Sequence, residues 1–471
     1  MKGIFLAEVG AKYTPYPPIG IMHLASVLQG KYNVTIKDYS GADIEENKVK
    51  RDIEKADPLL VGLRVLTGPP IPRAIKISEI AKKLGKKVVW GGPHPTVLPE
   101  QTLENKSIDA VVIGEGELTF QKLIKYFEGK KEKLEGVGIK KNNKIIITPA
   151  SKISVDLDKM PFPAWELLEN INKYFPEKRH NEVPISTTRG CAFKCGFCHN
   201  SNENVKKYLG CYRIANPKRA IDEYRYVQEL VKNEIDTLNV GEDLHLISED
   251  YAKKFCDALK ESKLDLKWYT AARYQTLNKK IIDLIAQNKC TRILLGVESG
   301  SERIQKMNNK IVELENAVKI AKLLRKKKIF LTNAYVFGHP TETQEELSKT
   351  INFIKKIPAD ENLIQLYRPM PGTPYFKMCE EKGKVKIPDK LEGWEGFGVL
   401  GHDVNVSEVP SKFLFSSFYK INAWQQTKFL INQEKFYLRN KMYSQFFDYL
   451  KNNRFTFKLK EFLLEKESKK E

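Results

Sequence analysis

Along the first 125 residues, short apolar runs alternate with longer stretches of helical periodicity. Ile4-Phe5-Leu6-Ala7, Val34-Thr35-Ile36, Leu59-Leu60-Val61-Gly62-Leu63, Lys87-Val88-Val89-Trp90 and Ala110-Val111-Val112-Ile113 read as strands. Ile21 to Leu28 and Ile71 to roughly Leu84 read as helices, the first opened by Pro17-Pro18-Ile19-Gly20. Strands alternating with helices predict a Rossmann-like, doubly wound parallel α/β sheet that binds ligands off the carboxyl ends of its strands. Gly91-Gly92 stands at one such end, where missing side chains let a large flat ligand approach the backbone.

The alternation resumes over residues 183–385. Strands are expected at 183–187, 237–240, 267–270, 292–297, 330–336 and 363–367. Asn216-Pro217 opens the first intervening helix, with Asn as cap and Pro in the first turn, and Ile221, Tyr224, Val227 and Leu230 form its apolar stripe. Six β/α units make a partial (β/α)6 barrel, and in parallel barrels the chemistry sits at the C-terminal ends of the strands. Between the two α/β regions, residues 126–182 read as a linker: a hairpin around Asn142-Asn143, then a Pro-punctuated extended strap. Residues 386–471 read as a small helical C-terminal domain, with Leu414, Phe418, Ile421 and Trp424 at helical spacing. Trp394-Glu395-Gly396-Phe397-Gly398 is expected as a flexible loop over the barrel mouth.

Candidate chemistry concentrates after the first barrel strand. Cys191, Cys195 and Cys198, three of the seven cysteines, fall in a C-x3-C-x2-C run. Three thiolates on an iron–sulfur cluster leave one iron open. A zinc site completed by His199 and a haem attached to Cys195-Gly196-Phe197-Cys198-His199 are the competing readings. Haem attachment requires export, for which Met1-Lys2-Gly3-Ile4-Phe5-Leu6 has no signal-peptide layout, and it leaves Cys191 unexplained. Cys211, Cys256, Cys290 and Cys379 are scattered and read as structural thiols.

The cysteine spacing, with Phe197 before the last Cys, resembles the radical S-adenosylmethionine (SAM) superfamily. The resemblance implies a 4Fe–4S cluster on Cys191, Cys195 and Cys198 and SAM chelated to the open iron. It directs attention to the polar groups at the other strand ends. Glu242 or Asp243 suits the SAM amine, Glu298 and Ser299 the ribose hydroxyls or methionyl group, and Arg273 a carboxylate. Phe197 is placed near the adenine, and Gly338 shapes a loop at its edge. The first domain, with Gly91-Gly92-Pro93-His94-Pro95-Thr96 and Gly114-Glu115-Gly116-Glu117, resembles the cobalamin-binding class of these enzymes. Members that ligate cobalt with a protein His carry a D-x-H-x-x-G loop, whereas here Ser40 stands where that His would be. Cobalamin bound without a protein His on cobalt is therefore expected, and His94 is not assigned.

The resemblance implies a 5′-deoxyadenosyl radical that acts on an unactivated carbon. Methylation, C–C bond formation or ring formation on a small or lipidic substrate is the implied outcome, with a reductant such as ferredoxin or flavodoxin. A methylthiotransferase acting on RNA or protein carries cluster cysteines in its N-terminal domain, and residues 1–190 contain none. The net charge of +20 is spread along the whole chain, which points to a Lys-rich solvated surface and makes nucleic acid an unfavoured partner. No run of 18 apolar residues occurs, so a cytoplasmic protein is expected, with peripheral membrane contact as one use for the aromatic tail.

Overall fold

A computed structural model describes residues 1–10, 16–41, 43–142, 144–151, 154–175, 182–210, 212–232, 235–241, 244–398, 401 and 403–439, with side chains to residue 425. Two sheets organise it. The first comprises β1 (Gly3–Glu8), β2 (Asn33–Asp38), β3 (Pro58–Arg64), β4 (Lys87–Gly91), β5 (Ala110–Val112), β6 (Val137–Lys141) and β7 (Lys144–Ile147). Their order is β2-β1-β3-β4-β5-β6-β7, parallel through β5 and antiparallel from β5 to β7. The hairpin expected in the linker is thus the edge of this sheet.

Both faces of the first sheet are covered, which is why its strands are apolar throughout rather than alternating. Along β1, Ile4 and Leu6 join a core with Ile21, Met22 and Phe120, while Phe5 and Ala7 join another with Val49, Ile53 and Ile71. The helices on the first face are Ile19–Leu28 and Gly116–Phe127; those on the second are Glu46–Ala56 and Pro70–Lys83. The first core continues into the barrel and includes Trp165 and Phe175 of the strap. The Ala164 N–H donates to the Met22 carbonyl (3.1 Å) and the Trp165 indole donates to Glu223 (3.4 Å), so the strap ties both regions.

The second sheet is built from β8 (Glu182–Pro184), β11 (Thr237–Val240), β12 (Lys267–Ala272), β13 (Cys290–Glu298), β14 (Phe330–Phe337) and β15 (Glu361–Leu366). A two-stranded antiparallel ladder, β9 (Thr188–Arg189) with β10 (Arg213–Ile214), lies between β8 and β11 in the chain. The six strands are all parallel in the order β15-β14-β13-β12-β11-β8, a half-barrel. Pro217–Leu230 is capped by Asn216, whose side chain accepts from the Lys218 N–H, and Ile221, Tyr224 and Val227 are buried as expected. The helix Ser411–Arg439 packs against the edge strand β15, burying Leu414 and Ile421 and protecting that edge. Trp424, expected in the same stripe, is 40% exposed.

The aromatic loop near residue 394 differs from expectation. Leu391–Gly396 is a 3-10 turn, and Trp394 is fully buried in the outer core of the first domain. Its ring meets Phe397 (4.8 Å), Phe376 (5.9 Å) and His94 (6.1 Å), and its indole donates to Gln101. Gln101 in turn donates to the Pro388 carbonyl. The large apolar ring is buried in the first domain's outer core, so the segment returns across the domain junction. Among the described residues, no helix is long and apolar enough to cross a membrane.

Candidate functional site

At the C-terminal ends of the first sheet lies a cavity of about 580 Å³. Gly91 and Gly92 form part of its wall as expected, together with Glu8, Ser40, Arg64 and the Gly114–Glu117 turn. A Cβ on Gly91 would meet nothing closer than Val112 at 3.8 Å, so a ligand can lie directly on this backbone. Gly92 has φ +94°, and a Cβ there would stand 3.1 Å from Arg64 Cγ. Ser40 lines the cavity, while Asp38 is held by Lys173 (2.8 Å) and Tyr174 (2.6 Å). His94 does not line it. That side chain is fully buried, with Nδ1 3.0 Å from the Thr67 hydroxyl.

The histidine that does line the cavity is His23, on the helix Ile19–Leu28. Burial, reinforced by the nearby Arg189 and Arg219 charges, drops its pKa to about 3, so the ring is neutral at physiological pH. Its sequence signal was absent: it sits among apolar residues of an ordinary helix.

Barrel residues complete the wall, namely Ser186, Arg189 and Leu209. Arg189 donates to Glu115 (3.0 Å) and Glu117 (2.5 Å), and Arg213, its partner in the β9–β10 ladder, donates to Glu115 (2.5 Å). Two carboxylates and two guanidiniums thus neutralise one another across the domain junction, as buried charges must. Arg189 lies two residues before Cys191, so the same side chain bounds the cavity and begins the cysteine loop.

The cysteine loop is fixed by backbone contacts. Gly190 has φ +73°, the Cys198 N–H donates to the Cys195 carbonyl (3.0 Å), and the Gly196 N–H donates to the Asn308 carbonyl (3.2 Å). A Cβ on Gly196 would stand 2.6 Å from the Tyr375 ring. Cys191, Cys195 and Cys198 are half-buried. Among the described residues, no three His, Cys, Asp or Glu side chains gather closely enough to hold one metal ion.

The other expected residues separate into two groups. Glu298 ends β13 with φ +67°, and its carboxylate accepts from Lys310 (2.7 Å). The two residues before Lys310, Asn308 and Asn309, brace the cysteine loop, Asn308 through the Gly196 N–H and Asn309 through the Lys194 carbonyl (3.3 Å). Nothing marked Lys310 among so many lysines. Ser299 is fully buried, its hydroxyl 3.1 Å from that of Thr350 and accepting from the Ser301 N–H, so it helps to build the turn after β13.

Gly338 has φ +79°, and its N–H donates to Glu342 (2.7 Å). Burial pushes the Glu342 carboxyl up to about 8, which makes it a neutral loop-holder at pH 7. Phe197 lies 6.1 Å from His339 and 6.4 Å from Tyr375, ring to ring. Arg273 lies against the cysteine loop, its guanidinium 3.7 Å above the Phe193 ring. Glu242 and Asp243 lie outside the described residues, as does Cys211.

Residues 9–124 match the B12 binding domain family, and residues 185–354 match the radical SAM superfamily. An uncharacterised methyltransferase of Pyrococcus horikoshii is 31% identical over 76% of this chain and 78% of its own length. The chain belongs to the cobalamin-binding class of radical SAM enzymes. The bacteriochlorophyllide d C-12(1)-methyltransferase of Chlorobaculum tepidum is 24% identical, over 86% of this chain and 81% of that protein. The cobalamin-dependent radical SAM enzyme OxsB, solved with aqua-cobalamin and SAM, shares the fold: TM-score 0.72 at 16% identity, over 95% of this chain and 72% of OxsB. This radical SAM enzyme therefore uses a 4Fe–4S cluster, SAM and cobalamin, and it acts as a C-methyltransferase or cyclase.

Proposed function

We propose that the chain methylates an unactivated carbon of a small or lipidic substrate held between its two cofactor seats. The observation that carries this reading is the shared wall: Arg189 bounds the glycine-lined cavity and leads directly into the cysteine loop. Bound there, the cluster supplies the electron that cleaves SAM, and cobalamin supplies the methyl carrier. The chain's own residues position these groups. Cys191, Cys195 and Cys198 would hold three irons, Glu298 would take a SAM hydroxyl or amine, and Phe197 would flank the adenine. Gly91 and Gly92 would seat the corrin ring, with Ser40 leaving cobalt free of a protein imidazole. His23 is the imidazole to test against that last point.

The Pyrococcus horikoshii relative, named a methyltransferase, favours methylation over ring formation. A low-potential carrier of the ferredoxin or flavodoxin type is the proposed reductant, and the +20 charge suits an acidic one. Peripheral membrane contact is a second reading, supported by Tyr419 (60% exposed) and Trp424 on the C-terminal helix. Co-sedimentation with anionic vesicles tests it.

The main test is anaerobic reconstitution with iron, sulfide and cobalamin, followed by incubation with dithionite as the low-potential reductant, methyl-labelled SAM and a small-molecule extract. Methylation gives 5′-deoxyadenosine, S-adenosylhomocysteine and labelled product. Deoxyadenosine without S-adenosylhomocysteine indicates ring formation instead, and the appearance of neither overturns the assignment.

A further inference from the structure

Arg273 follows β12, at the mouth of the half-barrel, and is 7% exposed. Its backbone is fixed by the Thr276 hydroxyl, which donates to the Arg273 carbonyl (3.0 Å). Three contacts define its side chain. Nε lies 3.5 Å from Gln275 Oε1, the guanidinium carbon stands 3.7 Å above the Phe193 ring, and Nη1 lies 3.8 Å from Cys195 Sγ. Among the described residues, no carboxylate pairs with it; the acceptors it reaches are an amide and a sulfur. A buried cation without a counter-anion is costly, so this one calls for a negative partner. The partner it points to is the thiolate of Cys195, and the aromatic ring that holds it there belongs to the same loop.

We infer that Arg273 tunes the cluster rather than binding the SAM carboxylate: its charge and its N–H···S bond raise the reduction potential of the cluster held by Cys195. The inference rests on the radical SAM reading of the cysteine loop. Cluster potentials follow net charge, hydrogen bonds to sulfur and solvent exposure. Thiolate ligands make the cluster anionic, and one electron accepted from a one-electron donor adds one negative charge. A fixed cation beside a ligating sulfur therefore stabilises the reduced form more than the oxidised form. Low solvent access strengthens the effect. A lysine keeps the charge but loses the planar face that stacks on Phe193.

The test is the cluster midpoint of the reconstituted full-length protein, followed by electron paramagnetic resonance in a redox titration without SAM. Arg273→Gln should lower the midpoint, with the reduction equilibrium falling about tenfold, which is about 59 mV for one electron. Arg273→Lys should recover most of the shift. Phe193→Leu, which keeps the charge but frees the guanidinium, should move the midpoint the same way by less. An unchanged SAM-free midpoint in Arg273→Gln, with weakened SAM binding, would return Arg273 to the SAM carboxylate and overturn the inference. If Arg273→Gln fails to hold iron and sulfide, Phe193→Leu decides, and an unchanged midpoint there overturns it equally. A wild type that assembles no cluster would instead defeat the radical SAM reading itself.

Discussion

The cavity of the first domain and the mouth of the half-barrel solve the problem of holding a cofactor in opposite ways. The cavity is shaped by what is missing: Gly91 and Gly92 carry no side chains, and its charges cancel within the protein through Arg189, Arg213, Glu115 and Glu117. The mouth is crowded with polar side chains, yet most are already engaged. Ser299 is bound to Thr350, Glu298 to Lys310 and Glu342 to the Gly338 N–H. A seat for a large flat ligand needs open backbone. A seat for a small charged ligand needs rigid loops, and rigidity uses up polar groups that sequence reading assigns to the ligand.

The strongest way to break this contrast is to remove one seat and watch the other. Replacing Cys191, Cys195 or Cys198 by Ala should abolish the visible absorbance of the cluster and all SAM cleavage while cobalamin uptake persists. Gly92→Trp should do the reverse, blocking cobalamin binding while iron and sulfide contents stay at wild-type levels. Loss of both ligands in either variant would show that the junction, rather than each seat, governs loading.

Smaller effects sharpen the comparison. Glu298→Ala should weaken SAM binding roughly 10- to 100-fold, as expected for losing a charged hydrogen bond of about 1.5–3 kcal/mol, with the cluster intact by iron analysis. Lys310→Ala leaves Glu298 buried and unpaired, and should cost about 3–5 kcal/mol of stability in urea unfolding.

The most specific effect concerns Glu342. Its folded pKa, about 8, lies above the ordinary value of 4.5 because burial disfavours the charged form. The folded state therefore holds the proton more tightly, and the stability this provides is present below pH 4.5 and lost as pH rises toward 8. Glu342→Gln should flatten that loss, which runs at roughly 1.4 kcal/mol per pH unit inside the window. Thermal melts of wild type and variant should diverge across it and run parallel above it.

Much of this architecture was legible because parallel strands buried on both faces announce themselves as unbroken apolar runs. Each expected strand overlaps an observed one, although the first barrel strand, expected over 183–187, ends early at Pro184 before the β9–β10 ladder. Helix Glu46–Ala56 was not legible, since only Val49 and Ile53 are buried and most of the rest is charged. In the candidate site, glycines were read well because their reason is local. Lys310 and His23 were missed because their roles depend on partners far away in the chain. The partner of the Ser299 hydroxyl was missed for the same reason: Thr350 is a helix residue that no strand-end motif mentions.

Trp394 gives the chain an assembly order. A ribosome adding roughly 5–20 residues per second needs about 15–50 s to go from the end of the first domain's last helix to this tryptophan. Throughout that interval the nascent domain lacks the indole that fills its outer core and leaves Gln101 without the donor that the finished protein gives it. A chain cut at residue 385, where the barrel appears complete, would be fixed permanently in that state. The first domain is thus encoded on both sides of the barrel segment, and a tidy truncation would separate it from its own closing piece.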